Sequence, residues 1–137
     1  MADAPPSFHW PLRIYWEDTD AGGVVFYANY LKFFERGRTE WLRSLGVSQE
    51  VLRRDEGLQF VVSETAVRYL RPARLDDEVV VTVRLAESGK ASLTLDQQAL
   101  RGGEVLAEGR IRIGCVDAQT LRPRRIPSNL LASIGTA

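Results

Sequence analysis

The sequence predicts an α+β fold, with an antiparallel sheet of about five strands curled around one long helix. Three observations predict it. Over residues 28–45, apolar side chains recur at steps of three and four, the period of a helix. After Gly57 the period changes to two and persists through about four further strands. Short turn signals join those strands, which favours antiparallel neighbours. A sheet that curls round a wide-faced helix buries both apolar surfaces at once.

The elements follow in order. Leu12, Ile14 and Trp16 alternate with Arg13 and Tyr15, which predicts a strand over 10–17. The polar run Glu17-Asp18-Thr19-Asp20-Ala21-Gly22-Gly23 is a loop, and the short apolar Val24-Val25-Phe26-Tyr27 follows it. In the helix, Tyr30, Phe33, Phe34, Gly37, Trp41 and Leu45 share one face. Leu31 and Leu42 widen that face, while Lys32, Arg36, Glu40 and Arg43 lie opposite. Gly37 costs about 1 kcal/mol against Ala in mid-helix. A close backbone approach would explain it, and a merely tolerated glycine is the alternative. Gly46 ends the helix, and Ser48 caps a short second helix reaching Asp55.

The next strand places Val61, Ser63, Thr65, Val67 and Tyr69 on one face and stops at Pro72. Val79, Val81, Val83 and Leu85 form another face, followed by the turn Ser88-Gly89-Lys90. Leu93, Leu95, Gln97 and Ala99 precede the hairpin signal Arg101-Gly102-Gly103-Glu104. Val105, Ala107, Gly109, Ile111, Ile113 and Cys115 complete the series, and 127–134 forms a short helix. Long sheet edges need management, and pairing between subunits is one way.

Composition excludes several function classes. The 137 residues make one domain, 10–137, behind a flexible N-terminus over 1–9. Lys plus Arg is 18 and Asp plus Glu is 18, a poor footprint for a nucleic-acid binder. The arginines around Pro72 and near the C-terminus read first as solvated surface. One Cys allows no internal disulfide, and with one His it cannot furnish a four-ligand zinc site, so no metal is expected. The single His, His9, falls in the flexible N-terminus, which argues against His-dependent nucleophilic catalysis. There is no G-x-S-x-G, Walker A or G-x-G-x-x-G pattern. The N-terminal residues lack a signal-peptide pattern, and no run approaches the ~20 apolar residues of a membrane span. A cytoplasmic protein is expected.

The informative stretch holds three acids, Glu17, Asp18 and Asp20, at a strand end, beside two glycines and just before a helix. A helix start supplies unpaired N–H groups and a positive dipole end. Those donors could stabilise an oxyanion, and a nearby carboxylate could activate water or attack a carbonyl. The same residues also fit a helix cap within a solvated acidic loop.

The segment Arg13-Ile14-Tyr15-Trp16-Glu17-Asp18-Thr19-Asp20-Ala21-Gly22-Gly23-Val24-Val25-Phe26-Tyr27-Ala28-Asn29-Tyr30 resembles the signature of hotdog-fold acyl-CoA thioesterases. Within them it resembles the 4-hydroxybenzoyl-CoA thioesterase family, and most closely its Tol-Pal-associated YbgC branch. Phe33-Phe34-Glu35-Arg36-Gly37-Arg38-Thr39-Glu40-Trp41-Leu42 and Tyr69-Leu70-Arg71-Pro72-Ala73-Arg74-Leu75-Asp76-Asp77 fit that branch too. The resemblance spans about 10–127. It implies a single hotdog domain that pairs sheets edge to edge and often forms a dimer of dimers, with active sites at the subunit interface.

It further implies hydrolysis of an acyl-CoA, or of an acyl-carrier-protein thioester, without a cofactor. Asp20 takes the place of the family's catalytic carboxylate, and Tyr27 supplies the backbone oxyanion donor. Asp18 is supporting. Gly22 and Gly23 shape the loop, and Val25, Tyr30 and Glu35 join the substrate-binding set. Tyr27 departs from the branch, where His is frequent, although a Tyr there is familiar in the 4-hydroxybenzoyl-CoA enzyme. Glu35 could instead pair with Arg36 or Arg38 on the surface. Arg68, Arg71, Arg74, Arg122, Arg124 and Arg125 are the candidates for CoA phosphates. A hotdog dehydratase would need a catalytic His, which this loop lacks. The other alternative is a non-catalytic acyl-CoA or acyl-carrier-protein binding module, or a scaffold linked to Tol-Pal.

Overall fold

Residues 7–135 are described by a computed structural model of the chain. The elements are β1 (Phe8–Arg13), α1 (Asn29–Ser44), α2 (Gln49–Val51), β2 (Leu58–Tyr69), β3 (Glu78–Ser88), β4 (Ser92–Arg101), β5 (Glu104–Asp117) and α3 (Ser128–Gly135). A 3-10 turn covers Trp16–Asp18, and α2 runs into one π turn over Leu52–Glu56. All five strands form one antiparallel sheet in the order β1-β3-β4-β5-β2.

The helix sits in the concave face of this sheet. Phe33, Phe34, Trp41 and Leu42 of α1 are buried with Val79, Val81 and Val83 of β3, Leu93 and Leu95 of β4, and Ile111 and Ile113 of β5. Each such side chain contributes about 1.5–3 kcal/mol through removal from water. Leu130 and Ile134 of α3 belong to the same core. The expected α+β wrapping is therefore what the chain adopts.

Gly37 is where helix and sheet come closest. A Cβ there would lie 2.7 Å from Val81 Cγ1 and 3.3 Å from Gln97 Nε2. The close-approach reading of this glycine holds. Gln97, fully buried on the inner face of β4, donates from Nε2 to the Phe34 carbonyl at 3.0 Å and accepts from Arg38 Nη1 at 3.1 Å. This polar bridge fixes α1 against the sheet, since breaking it would strand buried donors.

Some local expectations differ. Phe8 and His9 already lie in β1, while 1–6 of the expected flexible segment fall outside the described residues. The strand ends at Arg13, not at Glu17, because the Asp18 carboxylate accepts from the Tyr15 N–H at 2.8 Å and turns the chain. Trp16 is left 79% exposed instead of continuing the apolar face. On β2 the register shifts between Val62 and Glu64. Directly opposed residues share a face, so Val62, opposite Ile113, and Phe60, opposite Cys115, face the helix. Val61 therefore points away from it, while Thr65, Val67 and Tyr69 keep the expected face. The connection over 70–77 is also no hairpin: it carries the chain from the β2 edge to β3.

Gly37→Ala should lower stability by about 1–2 kcal/mol, the overpacking cost exceeding the gain in helix propensity. Urea denaturation measures this, and an unchanged or raised midpoint contradicts the close-approach account.

Candidate active site

The acidic loop is a small hairpin closed by its own backbone. Thr19 and Val25 form an isolated antiparallel bridge, and Asp20 N–H donates to the Val24 carbonyl at 2.9 Å. The Gly23 N–H returns to the Asp20 carbonyl at 3.0 Å, with Gly23 at φ +77°, a conformation that favours glycine. Asp20 Oδ1 accepts from the Gly22 N–H at 2.8 Å. Asp20 itself is exposed. The loop thus holds one carboxylate oxygen and presents the side chain to solvent.

Asp18 is the opposite case. It is 5% exposed and accepts from the Tyr15 N–H at 2.8 Å and from Asn29 Nδ2 at 2.7 Å. Those bonds tie the loop to the first residue of α1, giving Asp18 the supporting role. Asn29 is a site-building residue that sequence reasoning did not single out; its place at the helix start, eleven residues after an acid, was the only signal.

The helix begins at Asn29, two residues beyond Tyr27. Asn29, Tyr30 and Leu31 donate to Phe26, Tyr27 and Ala28 carbonyls, which tightens the entry turn. The N–H groups of Tyr27 and Ala28 have no partner among the described residues. These are the donors available to a ligand oxygen at the positive end of α1.

A cleft of about 250 Å³ adjoins them, lined by Val25, Tyr27, Tyr30, Tyr69, Leu70, Arg71 and Pro72. The Tyr27 ring, in a residue 63% exposed, meets Tyr69 edge-on at 5.9 Å. Tyr30 is 3% exposed, and its hydroxyl accepts from the Ala73 N–H at 3.1 Å. Burial pushes the Tyr30 hydroxyl above its ordinary pKa. Tyr30 thus edges the cleft with its ring and anchors the 70–77 connection with its hydroxyl. The Ala73 carbonyl in turn accepts from the Val25 N–H at 2.8 Å.

Arg101 secures the same connection from the far side. It donates to the Pro72 carbonyl at 3.2 Å, to Asp77 Oδ2 at 2.7 Å and to Glu104 Oε1 at 2.8 Å. Burial would raise the Asp77 carboxyl, but hydrogen bonds from Arg101 and the Arg74 N–H outweigh it and hold the pKa below the usual value. Arg71 flanks the cleft, its Nε 3.0 Å from Glu104 Oε2. Val24 pairs with Arg74 in an isolated bridge, so Arg74 lies beside the acidic loop.

Of the expected site residues, Val25, Tyr27 and Tyr30 line the cleft, while Asp20, Gly22 and Gly23 lie on the hairpin that leads into it and do not line it. Glu35 lines a separate pocket of about 250 Å³ between α1 and the start of β2, with Arg38, Thr39 and Phe60. Tyr69 and Leu70 were missed as cleft residues, because only the turn of the chain at Pro72 brings them to Tyr27. No group of three or more metal-ligating side chains is present among the described residues. No described helix is long and apolar enough to cross a membrane.

Asp18→Ala should cost about 1–3 kcal/mol by stranding two donors, whereas Asp20→Asn should stay within about 0.5 kcal/mol of the parent. Thermal and urea unfolding check the contrast; equal losses would contradict the division between the two acids.

Comparison with known proteins agrees with this geometry. The model of the thioesterase-like superfamily matches residues 14–134. The acyl-CoA thioesterase YbgC of Haemophilus influenzae is 40% identical over 126 residues, covering 92% of this chain and 93% of that one. The acyl-CoA thioester hydrolase YbgC of Escherichia coli is also 40% identical over 126 residues, covering 91% and 93%. The crystal structure of a probable thioesterase from Bartonella henselae superposes with a TM-score of 0.86 at 34% identity, over 89% of this chain and all of that one (100%). A hotdog sheet around α1, a match across nearly the whole chain and YbgC relatives at this identity place the protein in the thioesterase-like superfamily, in the YbgC acyl-CoA thioesterase family.

Proposed function

We propose that this protein hydrolyses an acyl-CoA thioester to a free carboxylic acid and CoA, with Asp20 as the catalytic carboxylate. One observation carries the reading: an exposed carboxylate and unpartnered backbone N–H groups sit on one loop that is hydrogen-bonded at both ends. The thioester oxygen accepts from the Tyr27 N–H, which stabilises the charge that grows there during attack. Asp20 takes a proton from water as it adds to the carbonyl carbon, or attacks that carbon to form an anhydride that water opens. In both routes the carbon–sulfur bond breaks and the thiolate leaves with a proton. The names of the relatives support the reaction class.

The remaining parts follow the same reading. Val25 and Tyr30 wall the acyl end, and Gly22 and Gly23 let the loop approach it closely. Arg71, on the cleft, and Arg74, beside the acidic loop, meet CoA phosphates. The work takes place in the cytoplasm and needs no cofactor. The active unit is an oligomer. β2 is a twelve-residue edge strand with Val62 51% exposed, a surface that pairing with a second copy would cover. A dimer of dimers completes the assembly.

Thiol release from a panel of acyl-CoAs tests the reaction. Asp20→Asn should reduce kcat/KM by at least about 10²-fold with binding retained; equal rates would show that another group does the chemistry. Val62→Asp should yield monomers in sedimentation velocity and lose turnover. A natural protein that sediments as a monomer at full activity would overturn the paired assembly.

A further inference from the structure

Arg38 stands on the inner face of α1 and is only 9% exposed. Sequence reasoning placed it on the surface as a partner for Glu35. Its hydrogen bond instead goes to a neutral group, Gln97 Oε1. No carboxylate lies within ion-pair distance of it among the described residues. Burial lowers its pKa, and Glu35, one turn earlier, only partly offsets this. A guanidinium has five N–H donors. No unpartnered nitrogen of Arg38 is sealed from solvent, which leaves its remaining donors open to the pocket it lines.

That pocket, of about 250 Å³, has polar groups on one side, Glu35, Thr39 and Gln49, and apolar Phe60 and Val62 on the other. A buried cation without a counter-ion is costly, and a planar anion would match its fork. One guanidinium with an acid at the mouth suits a monoanion better than a dianionic phosphate. The pocket also opens along the free edge of β2, on the helix side, as the Tyr27–Tyr69 cleft does. Antiparallel pairing of two β2 edges turns the Phe60 end of one copy towards the Tyr69 end of the other.

We propose that Arg38, with Thr39 and Gln49, forms a carboxylate-binding site, and that its ligand is the distal carboxylate of a dicarboxylic acyl group whose thioester lies at Asp20. The inference rests on the thioesterase reading and on the β2 pairing.

The test compares glutaryl-CoA with valeryl-CoA, acyl groups of equal length that differ in the distal carboxylate. Calorimetric binding to Asp20→Asn protein and kcat/KM of the natural protein are both measured. Glutaryl-CoA should be favoured at least tenfold in each. Arg38→Gln should bring the ratio near unity, and Arg38→Lys should restore part of it. Equal affinity for the two thioesters in the Asp20→Asn protein overturns the site without any change at Arg38. Turnover of both at equal kcat/KM also overturns it and leaves the thioesterase intact. Turnover of neither counts against the thioesterase reading, and the binding ratio still decides the carboxylate site. Free valerate competing as well as free glutarate would assign the pocket to the product carboxylate and overturn the distal assignment.

Discussion

Ala73 is the knot on which the site depends. Its carbonyl takes the Val25 N–H, its N–H goes to the Tyr30 hydroxyl, and its side chain is fully buried. These two bonds join the acidic loop, the first turn of α1 and the connection between β2 and β3. They hold the connection, 43 residues on from Tyr30 in sequence, against the acidic loop and the head of the helix, beside the Val24–Arg74 bridge. A longer side chain at Ala73 would have to displace core atoms, since interiors are packed without spare volume. The geometry of the proposed site is therefore set mostly by backbone groups, with the Tyr30 hydroxyl as the side-chain contribution.

Asp18 and Asp20 show how environment divides labour between identical groups. One residue, Thr19, separates them on a turn, and one points into the protein while the other points out. Asp18, buried, has its oxygens occupied by the Tyr15 N–H and by Asn29. Asp20, exposed, is held only at Oδ1. A carboxylate fully engaged by donors is a poor base, while one held at a single oxygen keeps its direction and leaves the other oxygen to act. The buried acid orients the loop and the exposed one is presented by it.

The fold was largely legible because periodicity reports burial. The helix over 28–45 and the inner faces of β3, β4 and, from Ala107 on, β5 emerged from spacing, and the hairpin at Gly102-Gly103 from its turn residues; at the start of β5 a register shift buries Leu106 where Val105 was expected. Misreadings came where a local hydrogen bond or register shift overrode the pattern. Asp18 bends the chain before Trp16 can extend β1, and the irregularity next to Ser63 exchanges the faces of Val61 and Val62. The candidate site was legible as far as one continuous stretch carries it, from Asp20 to Tyr30. Tyr69, Leu70 and Asn29 enter through tertiary bonds that no spacing encodes. Arg38 misled for a related reason: charge suggests a surface, and only Gln97, from a distant strand, gives it a reason to be inside.

The central claim is that the thioester carbonyl sits between Asp20 and the N–H of Tyr27. A crystal structure of the Asp20→Asn protein with an intact acyl-CoA tests it most directly. The account predicts the thioester oxygen about 2.7–3.1 Å from the Tyr27 nitrogen, with the residue-20 side chain facing the carbonyl carbon. A thioester bound with its oxygen turned away from Tyr27, or seated in another pocket with the cleft beside Tyr69 empty, would contradict it.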